Sequence, residues 1–177
     1  MVRRQRQIGI RDRASDNGHA TARTEEWPQD VVARLFDKAL RGQHSAEDAD
    51  RFRGHMLTEM ARMSLDDGLV LQIHAGSVRN HSRDVMARFG RDKGYDIPTQ
   101  TDYVTALKPL LNAVGGEAGL TIIIFTLDET SFSRELAPLA GVYPALKLGP
   151  PGWLSPLHIR RHRRATRGRH GEPAAAS

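Results

Sequence analysis

The sequence predicts an α/β protein built on a parallel sheet. Three observations predict it. The run TIIIFT, residues 121–126, is β-branched and apolar, as in a strand covered on both faces. A second run, LVLQI at 69–73, has the same character and leads directly into His74. Helical signals separate these runs and precede a third, ALKLG at 145–149. Strand, helix, strand, helix, strand in that order means right-handed βαβ units.

Each element has its own signal. Trp27-Pro28 opens a helix that runs to about Leu40, with proline near the first turn, where its missing N–H is harmless. Ser45 is a good N-cap for the next helix, and Glu47 and Asp48 place carboxylates against the positive end of its dipole. Phe52, Met56, Met60 and Met63 recur at helical spacing along it and read as core packing. Residues 69–74 then form a strand apolar on both faces. Thr101 and Asp102 cap a helix through Tyr103, Val104, Leu107, Leu110 and Leu111, and Gly115-Gly116 ends it. After the strand at 121–126, a short helix is expected from Ser131 to Ala140, with Ser131 as its cap. No internal sequence repeat accompanies this alternation.

Composition narrows the class. With 177 residues the chain can build one domain with a real core. It has no cysteine, which excludes disulfides, thiolate metal sites and a thiol nucleophile, and fits a reducing compartment. No apolar run approaches the roughly 20 residues of a membrane span. The basic N-terminus MVRRQRQIGIRDR lacks the apolar segment of a signal peptide, so a cytoplasmic protein is expected. The net charge of +5 belongs to the ends. Residues 1–13 carry five arginines and one aspartate, and 152–177 carry six arginines and one glutamate. The body between them is mildly acidic. The tail HIRRHRRATRGRHGEPAAAS has no apolar periodicity and reads as disordered. Its arginines suit phosphates, but no aromatic residue is interleaved for base stacking, so nucleic acid is not the expected partner.

Polar residues gather where strands end, the edge at which α/β proteins bind ligands. His74 can transfer protons or bind metal near neutral pH. Arg79, Asn80, His81 and Arg83 follow it and would form a cationic rim for a carboxylate or phosphate, or simply a solvated loop. In SDNGHATARTE, residues 15–25, Asp16, Asn17 and His19 surround a glycine, as in a tight turn after a strand. Asp16 there is either a general base or a turn residue. In FTLDETSFSRELAPLAG, 125–141, Glu129 is read as part of a helix start and Asp128 stays open as an acid or base. No His-x-His, HExxH, GxGxxG, P-loop or GxSxG is present.

These segments, in order, resemble one family. MLTEMARMSLDDGLVLQIHAGSVRNHS, FGRDKGYDIP, ALKPLL and FTLDETSFSRELAPLAGVYPALKLGPP are similar to the uronate (glucuronate) isomerases of the amidohydrolase superfamily, and SDNGHATARTE resembles that family's strand-end turn. The resemblance covers about 14–151, flanked by a poorly matching basic N-terminus (1–13) and the arginine-rich tail (152–177). It implies a (β/α)8 barrel and the isomerisation of D-glucuronate to D-fructuronate and of D-galacturonate to D-tagaturonate in hexuronate catabolism. A proton moves between C2 and C1, through an enediol, with a divalent metal, typically zinc. The family's strand-end histidine falls on His74, its following arginine on Arg79 and its preceding aspartate on Asp16, so these three carry the catalytic expectation. His74 is also the implied metal ligand, and Arg79 and Trp153 the substrate contacts; Trp153 is the second of a tryptophan pair whose first member is Gly152 here. The partner implied is a small-molecule uronate, with no membrane, in an enzyme that is a homo-oligomer when intact. The family's His-x-His pair and last-strand aspartate have no counterpart. The chain is therefore expected to be a piece of barrel around strands 4 to 7 of about eight, inactive alone. The second reading is a non-catalytic remnant that binds sugar acids or other chains.

Overall fold

The computed structural model describes residues 13–93 and 96–150. Four parallel strands form one sheet in the order β1 (Ala14–His19), β2 (Val70–Ala75), β5 (Thr121–Phe125), β6 (Leu146–Leu148). Between β1 and β2 lie α1 (Gln29–Leu40) and α2 (Ala46–Asp67). Between β2 and β5 come a two-stranded antiparallel ladder of β3 (Ser77–Val78) and β4 (Ile97–Pro98), the helix α3 (Arg83–Phe89) within it, and then α4 (Tyr103–Ala106) and α5 (Lys108–Val114). A helical stretch from α6 (Glu129–Ser131) through a π-helical turn, Phe132–Leu136, to α7 (Ala137–Val142) joins β5 to β6. The α/β class and parallel sheet expected from the sequence are present.

The caps explain where helices begin. Ser45 starts α2 with a full capping box: its side chain accepts from the Asp48 amide, and the Asp48 carboxylate accepts from the Ser45 amide. Asp102 caps α4 through the Thr105 amide at 2.9 Å. The helix expected from 101 to 115 is split, because Pro109 has no amide to continue the ladder. Thr24 occupies the break: its hydroxyl donates to the Ala106 carbonyl at 2.6 Å and accepts from the Leu110 amide at 3.3 Å.

The core is one-sided. Leu71, Ile73 and Ala75 of β2, Ile122 and Ile124 of β5 and Leu146 of β6 point to one face and are buried with Leu57 and Ala61 of α2 and Tyr103, Leu107, Leu110 and Leu111. The opposite face carries Asp16, Gln72, Ile123 and Lys147, exposed or half-buried, and, at the strand ends, His74 and Phe125, which are buried against each other. The strands are thus not covered alike on both faces. The methionine reading shifts as well. The buried stripe of α2 is Gly54, Leu57, Thr58, Ala61 and Ser64; Met60 packs at its border and Met63 is exposed. A chain turning its small residues to the sheet leaves the longer ones at the margin.

Two boundaries also differ from the sequence reading. Residues 14–19 are not a turn but strand β1, whose pairing with β2 outweighs the turn preference of Asp-Asn-Gly. The helix after β5 starts at Glu129, and its cap is Asp128 rather than Ser131. The Asp128 carboxylate accepts from the Thr130 amide at 3.0 Å and from the Ser131 hydroxyl at 2.8 Å. Those bonds hold the Asp128 carboxyl below the usual range, the Ser131 hydroxyl most strongly. An ionised, capped carboxylate is a weak base. A group whose folded value is depressed contributes stability above its unfolded value of about 3.8 and loses it as pH falls through the folded value. Thermal melts from about pH 6 down to about pH 2 should therefore show a shallower acid decline for Asp128→Asn than for the unsubstituted chain. Equal declines would mean that the cap carries no charge-dependent stability.

Candidate active site at the strand ends

His74 and Asp16 meet on the half-open face of the sheet. Asp16 pairs with Gln72, and Gly18 with His74, so Asp16 and His74 project from adjacent strands on the same side. His74 Nδ1 lies 2.6 Å from Asp16 Oδ1. His74 is the penultimate residue of β2 rather than a residue beyond it. Its imidazole is 6% exposed and stacks on Phe125 of β5, with centroids 4.3 Å apart and planes 14° apart. Because a carboxylate only accepts, the short contact puts the proton on Nδ1. Nε2 is then left buried with no hydrogen-bond partner.

Phe125 is itself held from behind. The Gly149 amide donates to the Ile124 carbonyl at 2.9 Å, bringing the glycine against the ring. A Cβ on Gly149 would lie 2.2 Å from Phe125 Cδ1. Tyr103, fully buried, donates its hydroxyl to the Ala75 carbonyl at 3.2 Å and anchors the end of β2 beside His74.

Arg79 reaches the same edge by another route. Gly76 turns the chain sharply at a φ of 80°, where a Cβ would strike Thr101 Oγ1 at 2.5 Å. β3 then carries the chain to Arg79, whose Nε lies 3.1 Å from Asp96 Oδ1. Its two terminal nitrogens lie 3.8 and 3.9 Å from where a Cβ of Gly18 would be. Gly18 is the cross-strand partner of His74. The guanidinium therefore sits over the strand next to the imidazole. A cavity of about 230 Å³ opens there, lined by Gly18, His19, Ala20, Ser77 and Arg79.

Other expected members of the site stand apart. Strand alternation sends the Asn17 and His19 side chains to the face opposite Asp16, although His19 still borders the cavity beside Arg79. Asn17 bonds the Gln72 carbonyl at 3.4 Å, and burial followed by the Arg53 charge lowers the pKa of His19. Asn80 accepts from the Asp92 amide at 2.8 Å and Arg83 begins α3; of the four expected rim residues, Arg79 is the one that lines the cavity. Trp153 lies outside the described residues. Asp96, Phe125 and Gly149 were missed as parts of this edge. Asp96 lies inside the segment FGRDKGYDIP, but a two-residue ladder gives no periodic signal.

A parallel α/β sheet with an imidazole–carboxylate pair and a guanidinium at one edge defines a class of protein that can handle small polar ligands there. The sequence pattern of the glucuronate isomerase family matches residues 6–154. The chain belongs to that family. It is 64% identical over 155 residues to the uronate isomerase of Rhizobium meliloti (strain 1021), covering 86% of this chain and 33% of that protein. To the uronate isomerase of Brucella canis it is 59% identical over the same shares. The crystal structure of glucuronate isomerase from Caulobacter crescentus superposes with a TM-score of 0.80 at 53% identity, over 92% of this chain and 34% of that one. Uronate isomerase from Thermotoga maritima shares the fold, with a TM-score of 0.72 at 23% identity. The chain thus spans about a third of the length of the relatives it matches.

Proposed function

We propose that this chain carries the carboxylate clamp and the imidazole–aspartate pair of a uronate isomerase, on a four-stranded part of a (β/α)8 barrel wall. The observation that carries the proposal is the placement of the Arg79 guanidinium over Gly18, the strand neighbour of His74. A uronate has a carboxylate at one end and the reacting carbons at the other. Arg79 binds the carboxylate through its terminal nitrogens. His74, held in one tautomer by Asp16, takes the C2 proton at Nε2. The electron pair forms an enediol, and return of the proton to C1 gives the ketose, with hydroxyl protons exchanging between O1 and O2. No outside oxidant or reductant is needed. D-Glucuronate would give D-fructuronate, and D-galacturonate would give D-tagaturonate. The half-open sheet face supports the barrel reading, because a parallel sheet is ordinarily covered on both sides.

The implied metal fits in part. The orphaned Nε2 of His74, with Nδ1 committed to a carboxylate, would suit one ligand position, but only in place of its use as the base, since the single lone pair cannot serve both. Among the described residues no three histidine, cysteine, aspartate or glutamate side chains converge. The steps above are therefore written for the chain's own groups. No helix among the described residues is long and apolar enough to cross a membrane, and a sugar acid needs no membrane or nucleic-acid partner. A cytoplasmic homo-oligomer completes this reading.

Binding separates the proposal from its alternatives. Ligand-observed NMR on the full chain should show binding of D-glucuronate and not of D-glucose, which lacks the carboxylate. Arg79→Ala should weaken glucuronate binding by about tenfold or more. Turnover is not expected from this chain alone. Equal binding of both sugars, or binding indifferent to Arg79, would sink the proposal.

A further inference from the structure

A buried phenol needs a partner for its hydroxyl, and Tyr103 is fully buried. Its hydroxyl donates to the Ala75 carbonyl at 3.2 Å. Ala75 directly follows His74 and lies one step past the β2–β5 register, which closes with His74 opposite Phe125. The chain then turns at Gly76. The hydroxyl therefore takes hold of β2 at the point where its pairing with β5 stops. Burial raises the pKa of this hydroxyl, so it stays a neutral donor.

Tyr103 is held in turn from a third segment. Its amide donates to Glu135 Oε2 at 3.0 Å. Glu135 Oε1 accepts from Arg134 Nη2 at 2.6 Å, which leaves Oε2 to the amide. Glu135 stands on the π-helical turn Phe132–Leu136, in the connection that leaves β5. Such turns take in one residue more than an α-helical turn and recur at functional sites. Two hydrogen bonds thus run in series from the β5–β6 connection to the residue beside the imidazole.

We propose that Tyr103 is a positioning residue for His74, acting through the Ala75 carbonyl, and that Glu135 on the π-helical turn sets Tyr103 in place. The preceding reading is needed only for what His74 is positioned to do. The 2.6 Å contact between His74 Nδ1 and Asp16 Oδ1 joins two strands near their ends. Asp16 comes from the outer strand, and its side chain is 65% exposed. The carboxylate can fix one tautomer only if the end of β2 keeps its place. The ladder with β5 secures that end up to His74, and the Tyr103 hydroxyl secures it beyond.

Tyr103→Phe keeps the ring and its packing and removes the hydroxyl alone. In the full chain at about pH 8, above the ordinary histidine range, NMR of the His74 ring nitrogens should show the proton on Nδ1 and none on Nε2. In Tyr103→Phe the two nitrogen shifts should move toward each other as the second tautomer becomes populated, while the amides of Leu71 and Ile122 keep their slow exchange. Glu135→Ala should reproduce the change. Glu135→Gln, whose amide oxygen still accepts from the Tyr103 N–H, should restore the unsubstituted pattern. D-Glucuronate binding should weaken by about three- to tenfold in Tyr103→Phe and in Glu135→Ala. Unmoved His74 nitrogens in a folded Tyr103→Phe would overturn the proposal. Loss of slow exchange at Leu71 and Ile122 in step with the His74 change would do the same, since Tyr103 would then be a general core residue. If Tyr103→Phe does not fold, the two Glu135 variants decide by the same shifts, and equal behaviour of alanine and glutamine sinks the relay. If the unsubstituted chain binds no uronate, the preceding reading fails while the nitrogen shifts still decide the role of Tyr103.

Discussion

Truncating Ile124 to alanine should destabilise the chain by about 2–5 kcal/mol, whereas the same change at Ile123 should cost less than about half of that. The two residues are adjacent in β5 and chemically identical. Ile124 is fully buried among α4, α5 and the neighbouring strands, so its removal leaves a cavity that rigid neighbours cannot fill. Ile123 points to the opposite face and is only half-buried. With a total stability typical of small domains, about 5–15 kcal/mol, the first change could remove a large fraction of the folded population. Urea unfolding of both variants is the measurement. Equal losses would mean that the second face is covered as well as the first, and the one-sided core would have to be abandoned.

The second large effect is expected at Gly149. An alanine there would put its Cβ 2.2 Å from the Phe125 ring, well inside van der Waals contact. The ring cannot simply rotate away, because its other face lies on His74. Overpacking of this kind costs about 1–3 kcal/mol. The more telling consequence is local. Displacing Phe125 must change the ring-current environment of His74, so the imidazole Cε1–H resonance should move while those of His44 and His81 stay in place. A wild-type melting curve together with an unmoved His74 resonance would show that Phe125 does not support the imidazole.

Much of this architecture was legible in the chain. TIIIFT and LVLQI announced central strands by their β-branched and apolar character, although their burial alternates rather than being alike on both faces. Ser45 and Asp102 announced helix starts because orphaned amides need acceptors, and both are used so. His74, Asp16 and Arg79 were visible as a set through the ordered resemblance of their surrounding segments. What escaped depended on contacts between segments. Asp-Asn-Gly reads locally as a turn, and only pairing with Val70–Ala75 makes it a strand. Asp128 and Ser131 are both good caps, and the choice between them turns on which hydroxyl reaches which carboxylate. Asp96 is 17 residues from Arg79 in sequence and meets it through a ladder only two residues long on each side. No window along the chain contains that information.

The sheet clothed by helices on one side also bears on the calorimetry of this molecule. Heat capacity on unfolding and the steepness of denaturant curves both follow the surface newly exposed to water. Strands whose second face is partly hydrated, as around Asp16, Gln72 and Lys147, expose less new apolar area when they separate. The unfolding transition should accordingly be broad, with a denaturant slope below the norm for so long a chain. Any ligand or polypeptide that comes to lie against Gln72, Ile123 and Lys147 would steepen the curve as well as shift its midpoint.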